Sequence, residues 1–287
     1  MKELFISSYC YGKLGLDVEK MILTAKEQGF QGVELLCPIT PEIAKVLRRE
    51  NMKVADSTVL PDYNDLAEVD LLHRLGISYL QAQTRFGDRE QTLRAAELLD
   101  ELGRQARSHG FKVFYHNHTH EWRRSGDGTL MDILMDNTDP ENVCMQMDAG
   151  WAVCAGIDPE EFIRRHPGRV ELMHVKASTG KLGPEGVGFM APAPGEPVML
   201  GMAGPPTPEP APENTRPAAP PPAMRAAMEK IRSVSGTMED CVWNYESLMN
   251  TAEAYGCKAF ILERDEFYLP DVLDVMAEDL KTLRKFW

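Results

Sequence analysis

A chain of 287 residues, 43% of them hydrophobic and 26% charged, has the composition of a globular protein and the length for one large domain. Its formal net charge of −13, without a compensating basic patch, argues against nucleic acid or an anionic membrane as a partner. No apolar run has the roughly 20 residues of a membrane-spanning helix, and the N-terminus lacks the pattern of a signal peptide. Six scattered cysteines without a CxxC pair are typical of free thiols in the cytoplasm.

Short apolar runs alternate with longer amphipathic ones along most of the chain. The runs predicted as strands are 4–10, 31–37, 53–60, 78–84, 111–118, 142–150, 169–177 and 257–266. The segments predicted as helices are 17–29, 41–51, 64–76, 89–110, 129–138, 158–168, 238–256 and 269–286. Eight strands that are each followed by a helix predict an α/β fold, a (β/α)8 TIM barrel formed by 1–287 as a single domain. The alternative, an open doubly wound sheet, lacks its glycine-rich loop after the first strand.

One segment between the seventh and eighth predicted strands breaks this alternation. Residues 179–236 hold more than half of the chain's twenty prolines, a density that disfavours regular helix and sheet. The segment is also too long for an ordinary connection. We therefore expect a proline-rich insertion, which is either an extended surface excursion or a lid or partner-docking arm at the end of the barrel where the seventh strand finishes.

Polar side chains stand at the predicted carboxyl ends of the strands, where barrels of this kind keep their active sites. They include Glu34, Asp56, Gln81, Gln83, Arg85, His116, His118, His120, Glu121, Asp148, His174, Lys176, Glu263 and Arg264. Three of the seven histidines lie in the segment YHNHTHEW, and His116 and His118 share a face of their strand. Imidazoles and carboxylates on four consecutive strands suit a divalent ion such as Mn²⁺, Zn²⁺, Co²⁺ or Mg²⁺. The sequence therefore predicts a metal site at this end of the barrel.

Several of these residues also have structural interpretations. Asp148 ends an apolar run, and a buried carboxylate needs a partner whatever its function. Lys176 and Arg264 are either salt-bridge partners of the carboxylates or anchors for a substrate. Trp122 and Trp151 flank the predicted site, where they either stack on a sugar ring or pack in the core.

Three segments, FYHNHTHEW, MDAGWAVCAGIDPEEFIRRHPGRVELMHVKA and FILERDE, resemble the sugar phosphate isomerase/epimerase superfamily. These xylose isomerase-like TIM barrels include tagatose epimerases and inosose dehydratases, and the likeness covers nearly the whole chain outside the insertion. The resemblance implies one divalent metal ion, with Mn²⁺ preferred, held by a Glu, Asp, His, Glu set at the ends of strands five to eight. Asp148, His174 and Glu263 match that set, and Glu121 is the first ligand, with His118 as the alternative.

The resemblance also implies a reaction, which is proton abstraction next to the carbonyl of a sugar or keto sugar. Reprotonation elsewhere gives an isomerase or epimerase, whereas loss of a β-substituent gives a lyase. The candidate catalytic residues are His116 or His118 as the base, with a ligand carboxylate as the rival, and Lys176. The candidate substrate-binding residues are Glu34, Arg85, Trp122, Trp151 and Arg264.

Other functions stay open at this stage. The superfamily includes the metal-binding subunits of bacterial C-glycoside deglycosidases, which cleave 3-keto glycosides together with a small second subunit, and the insertion would suit such a partner. A homo-oligomer is the other expected assembly. A non-catalytic sugar-binding barrel would keep the fold without the metal. The endonuclease branch of the superfamily must meet DNA, and the negative charge disfavours it.

Overall fold

The computed structural model describes residues 3–185, 192, 195–201, 222–264 and 272–286. Eight parallel strands form its main sheet. They are β1 Leu4–Ser7, β2 Gly32–Glu34, β3 Lys53–Val54, β4 Tyr79–Gln81, β5 Lys112–His116, β6 Val143–Asp148, β7 Val170–Val175 and β8 Ala259–Leu262. Their order in the sheet is β3-β2-β1-β8-β7-β6-β5-β4.

A backbone bridge just beyond β3 joins the two edges of this sheet. The Ser57 N–H donates to the Tyr79 carbonyl at 2.9 Å, and the Gln81 N–H donates to the Ser57 carbonyl at 2.8 Å. Because β3 and β4 are the edge strands, this pairing closes the sheet into a ring. The predicted TIM-barrel fold is therefore confirmed.

The α-helices of the described residues surround the strands. They are α1 Val18–Gln28, α2 Pro41–Glu50, α3 Leu66–Arg74, α4 Arg89–Ser108, α5 Leu130–Asp136, α6 Ala149–Cys154, α7 Pro159–Arg165, α8 Pro222–Val234, α9 Tyr245–Ala254 and α10 Val272–Leu283. None of them combines the length and the apolar character needed to cross a bilayer. The predicted ends of the last strand and the start of the last helix, within 265–271, lie outside the described residues.

Three details differ from the sequence prediction. The first strand ends at Ser7, and a 3-10 helix over Ser8–Leu14 follows it. A short helix, α6, follows β6 directly because the Asp148 side chain caps it, accepting from the Trp151 N–H at 2.8 Å. The insertion was expected to lack regular structure, but α8 lies within it. Proline is compatible with the first turn of a helix, and the rest of α8 after Pro222 contains no proline.

The described parts of the insertion contact loops at the carboxyl end of the barrel. Glu185 forms an ion pair with Arg123 after β5, and the Glu196 carbonyl accepts from the side chain of Gln91 at the start of α4. A two-residue strand, Leu200–Gly201, pairs with the chain just after β4. The Leu182 N–H donates to the Cys154 carbonyl at the end of α6 at 2.8 Å, and Val234 at the end of α8 packs with Trp151 and Cys154. These contacts are distributed around the barrel mouth.

The barrel interior has polar layers at both ends and an apolar layer between them. The apolar layer includes Phe5, Phe114, Cys144, Leu172 and Ile261, all buried. Gly32 of β2 is needed here, because a Cβ at this position would lie 2.5 Å from the Phe5 ring.

The polar layer at the amino end of the strands is an ion-pair cluster. Glu171 forms ion pairs with Lys112 and Lys258, and its carboxylate accepts from the Tyr79 hydroxyl at 2.6 Å. The layer at the carboxyl end carries the residues predicted to be functional.

A capping site on α5 allows a test of stability against pH. The Asp132 carboxylate accepts from the Thr129 N–H at 2.7 Å and lies 2.6 Å from Arg165 Nη1 and 2.9 Å from His166 Nε2. Burial alone would raise the pKa of Asp132, but the hydrogen bonds to His166 and Thr129 outweigh it and hold this pKa well below its ordinary value. The carboxylate therefore stabilises the fold above its unfolded-state pKa of about 4, and that contribution is lost as the pH falls through the folded-state pKa.

We expect Asp132→Asn to lower the free energy of unfolding at pH 7 by about 1 to 2 kcal/mol, the usual range for a helix cap. Urea unfolding at several pH values checks this, and the difference from wild type should shrink below about pH 4. Asp127→Asn, which removes the same charge from an exposed position in the preceding turn, should have little effect. A difference for Asp132→Asn that grows as the pH falls would contradict the assignment.

Candidate functional site

Carboxylate, ammonium and imidazole side chains from four adjacent strands meet at the barrel mouth. The Lys176 ammonium lies 2.8 Å from Asp148 Oδ2 and 2.8 Å from Glu263 Oε1. His174 Nδ1 lies 3.3 Å from Glu263 Oε2, and His116 Nε2 lies 3.8 Å from Asp148 Oδ2. The His116 and His174 rings are 4.7 Å apart between centroids. The structure thus brings together three of the four predicted metal ligands and two of the predicted catalytic residues.

Strand register explains this convergence. Asp148 and His116 are the last residues of β6 and β5, and His174 pairs with Asp148 across β7 and β6. Lys176 and Glu263 directly follow β7 and β8. Because parallel strands end at the same edge of the barrel, residues at equivalent positions along neighbouring strands come into contact.

A second row of polar side chains lies against this cluster. Glu34 Oε1 is 3.0 Å from His174 Nε2, and the Gln146 side-chain amide donates to it at 2.8 Å. The same amide donates to Asp56 Oδ2 at 3.2 Å. Gln146 Oε1 lies 2.8 Å from His116 Nδ1. The residues are all at least nine-tenths buried, so the cluster continues into the barrel as one connected polar network.

Burial and mutual charge set the protonation of this network. Burial, reinforced by the charge of Glu34, raises the pKa of Asp56 well above its ordinary value. Burial would lower the pKa of His174, but Glu34 and Glu263 outweigh it and raise that pKa well above the ordinary value. Burial, together with the charges of the neighbouring His174 and His118, lowers the pKa of His116 to about 3. His116 is therefore a neutral imidazole at neutral pH, with a lone pair on one nitrogen.

Glu121, the predicted first metal ligand, is not in this cluster. Strand β5 ends at His116, and the chain then turns into a 3-10 helix over His120–Trp122, which directs Glu121 back toward its own loop. Its carboxylate accepts from the Tyr115 hydroxyl at 2.9 Å and from the backbone N–H of His118 at 2.9 Å. Burial would raise the pKa of Glu121, but His120 and His118 outweigh it and lower this pKa to about 2. Glu121 thus lies in a second group, with His118 and His120.

His118, the alternative ligand and alternative base, lies between the two groups. Its ring is 5.3 Å from the ring of His116 and 6.4 Å from that of Trp151, and its Nδ1 is 3.6 Å from Glu121 Oε1. Its side chain is 25% exposed, whereas His116 is 9% exposed. His118 is therefore the more accessible of these two histidines.

The predicted substrate-binding residues separate into those near the cluster and those elsewhere. Trp151 is near it, with the Lys176 ammonium 4.7 Å from its ring centre, and Glu34 is part of the inner network. Trp122 is buried in the core, where it packs edge-on against Phe162 at 5.0 Å.

The two predicted arginines lie in different surroundings. Arg85 is exposed on the loop after β4. Arg264 is buried and forms an ion pair with Asp279 of α10, so it holds that helix against the barrel.

The structure adds residues that the sequence analysis did not single out. Gln146 connects Glu34 and Asp56 to His116, and its position two residues before Asp148 on β6 would have placed it on the same face. The Tyr245 hydroxyl donates to the Lys176 carbonyl. A small cavity beside Lys176 is lined by Ile231, Val234 and Ser235 of the insertion, which no sequence signal indicated.

The cluster contains donor groups that fit a divalent metal ion. His116, Asp148 and His174 each offer a ligand atom within 4.8 Å of the others, and so do Glu34, His174 and Glu263. Glu34 Oε2 is buried and has no hydrogen-bond partner among the described residues. Imidazole and carboxylate ligands suit Mn²⁺, Co²⁺ or Zn²⁺, and the carboxylates also suit Mg²⁺. The donor set therefore fits the metal that the sequence predicted.

Comparison with solved structures finds proteins of the same TIM-barrel fold, as the sequence predicted. A sugar phosphate isomerase/epimerase from Parabacteroides distasonis superposes with a TM-score of 0.66 at 16% identity, covering 99% of this chain and 93% of that chain. A xylose isomerase-like TIM barrel protein from Mycobacterium smegmatis, solved in complex with magnesium, has a TM-score of 0.57 at 16% identity, covering 95% of this chain and 89% of that chain.

Comparison of sequences gives a shorter match. An inosose dehydratase from Lacticaseibacillus casei is 35% identical over 85 residues, which are 29% of this chain and 27% of that protein. The match thus spans about a quarter of the relative's length. No protein-family profile matches the chain.

Proposed function

We propose that this chain is a divalent-metal-dependent enzyme that abstracts a proton next to the carbonyl of a sugar or keto sugar. The observation that carries the proposal is the convergence of His116, Asp148, His174 and Glu263 around the Lys176 ammonium at the barrel mouth. Two imidazoles, two carboxylates and a cation at one edge of a TIM barrel are the parts that such chemistry requires. The fold of the solved relatives and the local similarity to an inosose dehydratase support the same class.

The proposed metal ligands are His116, Asp148, His174 and Glu263. Relative to the sequence prediction, His116 replaces Glu121, because Glu121 is committed to the β5 loop and His116 lies beside Asp148. A bound divalent ion would supply a Lewis acid that polarises the substrate carbonyl. Mn²⁺ stays the first ion to test, and a relative of the same fold was solved with magnesium.

We propose His118 as the base that removes the carbon-bound proton. It is more exposed than His116, and its Nδ1 lies 3.6 Å from Glu121 Oε1. Histidine is the residue that enzymes use most often as a general base. Lys176 is a cation at the same mouth, placed to donate a hydrogen bond to a substrate oxygen. Trp151 forms an apolar wall beside Lys176 that suits the face of a sugar ring.

The step that follows proton removal determines whether the reaction is an epimerisation, an isomerisation or a dehydration. Return of the proton to the other face of the same carbon gives an epimer, and return to the neighbouring carbon gives an isomer. Loss of a β-hydroxyl as water gives a dehydration. The local match to a dehydratase favours the last outcome and makes a keto-inositol the first substrate to test, followed by ketohexoses.

The insertion has a proposed role as a lid. Its described parts contact the loops after β4, β5 and β7, and Ile231 and Val234 face the cavity beside Lys176. A covering segment would exclude water from the reacting centre. A homo-oligomer, a small second subunit and a cytoplasmic location stay predictions from the sequence.

Solvent isotope exchange tests the proposed chemistry. The protein loaded with Mn²⁺, Co²⁺ or Mg²⁺ is incubated in D₂O with a keto-inositol or a ketohexose, and the product is followed by NMR and mass spectrometry. We expect metal-dependent deuterium incorporation next to the carbonyl, or release of a dehydrated product. His118→Gln should keep the metal and reduce the rate by about 100-fold or more, the usual contribution of a general base. A protein that binds a keto sugar but takes up no metal and catalyses neither exchange nor elimination would instead support a non-catalytic binding barrel.

A further inference from the structure

Gln146 lies at the centre of the polar network and links two groups that are otherwise separate. It is 1% exposed, on β6 two residues before Asp148. Its side chain joins the carboxyls of Glu34 and Asp56 on one side to the His116 ring on the other. Nothing in the proposed function gives this residue a role.

The two carboxyl groups fix the orientation of the Gln146 amide. Its Nε2 donates to Glu34 Oε1 at 2.8 Å and to Asp56 Oδ2 at 3.2 Å. In the opposite orientation the amide oxygen would face the Glu34 carboxylate, and two acceptors at that distance repel each other. The amide oxygen, Oε1, must therefore lie on the side of His116, where it is 2.8 Å from Nδ1.

An amide oxygen only accepts hydrogen bonds, and this property determines the form of the imidazole. The contact at 2.8 Å requires the hydrogen of the His116 ring to be on Nδ1. The lone pair is then on Nε2, the nitrogen on the side of Asp148 at 3.8 Å from Oδ2. Without the Gln146 acceptor, the ring could instead carry its hydrogen on Nε2 and direct it to the Asp148 carboxylate, which would block that nitrogen as a ligand.

We infer that Gln146 is a positioning residue that holds His116 in the Nδ1–H tautomer, so that Nε2 presents a lone pair to the barrel mouth. The inference deepens the proposed function and rests on it for the use of that lone pair as a metal ligand. The tautomer itself follows from the hydrogen bonds alone. Loss of a residue that orients a ligand histidine in this way commonly lowers metal affinity by about 10- to 100-fold.

Histidine tautomers are read directly from ¹⁵N NMR spectra, because the protonated and unprotonated ring nitrogens have well-separated shifts. The spectra are recorded on ¹⁵N-histidine-labelled, metal-free protein at one neutral pH, with His116 assigned by comparison with His116→Asn. Wild type should show His116 with its hydrogen on Nδ1. Gln146→Met, which has a similar shape but no acceptor, should shift His116 toward the Nε2–H tautomer and leave the signals of His109 unchanged.

Gln146→Glu is the conservative rescue. Beside Glu34 and Asp56 the introduced side chain is expected to be a neutral carboxylic acid, which donates through its hydroxyl and accepts through its carbonyl as the amide does. It should therefore retain the Nδ1–H tautomer. By calorimetry with Mn²⁺, Gln146→Met should lose about 10- to 100-fold in affinity, and Gln146→Glu should recover most of that loss.

The outcomes separate the two claims. The inference is overturned if His116 of wild type carries its hydrogen on Nε2. It is also overturned if His116 has the same tautomer in wild type and in Gln146→Met. Neither result depends on whether the proposed function is correct. The expected tautomers in a protein that binds no Mn²⁺ would uphold the positioning role and overturn the proposed function. This comparison stands even if Gln146→Met folds poorly, because wild type and Gln146→Glu still report the tautomer.

Discussion

Replacement of His174 by asparagine is expected to abolish stoichiometric binding of a divalent metal ion. His174 is buried at the centre of the cluster, 3.0 Å from Glu34 Oε1 and 3.3 Å from Glu263 Oε2, so the loss of its ring removes one ligand and the contact that joins Glu34 to Glu263. A Lewis-acid metal contributes several kcal/mol to stabilising negative charge on oxygen, so the isotope-exchange rate should fall by about 1,000-fold or more. Metal content by mass spectrometry and the exchange assay are measured on the same preparations.

His109→Asn is the matched control for this experiment. It makes the same chemical change at the end of α4, where the ring stacks on Tyr63 outside the barrel. This control should keep both metal and activity. Equal metal content in wild type and His174→Asn would contradict the proposed site, and absence of metal from wild type after incubation with excess ion would contradict the metal-dependent function.

Replacement of Lys176 by methionine is expected to destabilise the metal-free protein strongly and to make its stability depend on metal. The ammonium lies 2.8 Å from carboxylate oxygens of both Asp148 and Glu263, and its side chain is 6% exposed. Breaking a buried ion pair by removing one partner usually costs about 3 to 5 kcal/mol, because the remaining charge is buried without compensation. A divalent ion at the same carboxylates would compensate that charge, so Mn²⁺ should raise the Tm of Lys176→Met more than that of wild type.

Lys112→Met is the control that distinguishes the destabilisation caused by breaking any buried ion pair from the gain in Tm caused by a metal bound at the mouth. Lys112 pairs with Glu171 at the opposite end of the barrel, so its loss should also destabilise the protein. No increase in Tm beyond that of wild type is expected when Mn²⁺ is added to this variant. Similar responses of the two variants to Mn²⁺ would show that the carboxylates next to Lys176 are not the metal site.

The fold could be predicted from the sequence because strand–helix alternation is a local property. Each predicted strand overlaps one barrel strand, although the observed strands are shorter, as with β3 at Lys53–Val54. Asp148, His174 and Glu263 were also predictable, since they stand where apolar runs end and where parallel strands meet at one edge. Their contacts with Lys176 follow from the same register.

The sequence could not predict side-chain positions where the chain leaves regular structure or where the contacting residue is distant along the chain. Glu121, given as the first ligand by the resemblance, lies with His118 and His120, because β5 ends at His116 and a 3-10 helix follows. Arg264 has its ion-pair partner on α10, which adjacency in sequence does not reveal. Gln146 was not predicted, because an uncharged amide in a strand carries no sequence signal of function. Its position in the network comes from hydrogen bonds with Glu34, Asp56 and His116, which are distant along the chain.

The apolar layer between the two polar ends of the barrel keeps their hydrogen-bond networks apart. Phe5, Phe114, Leu172 and Ile261 separate the ion pairs around Glu171 from the cluster at the mouth. A substitution in the mouth cluster therefore leaves no hydrogen-bond partner unsatisfied among the ion pairs around Glu171. Those ion pairs can hold the base of the barrel together while side chains of the mouth are replaced, which makes the mouth the part of this barrel best suited to redesign.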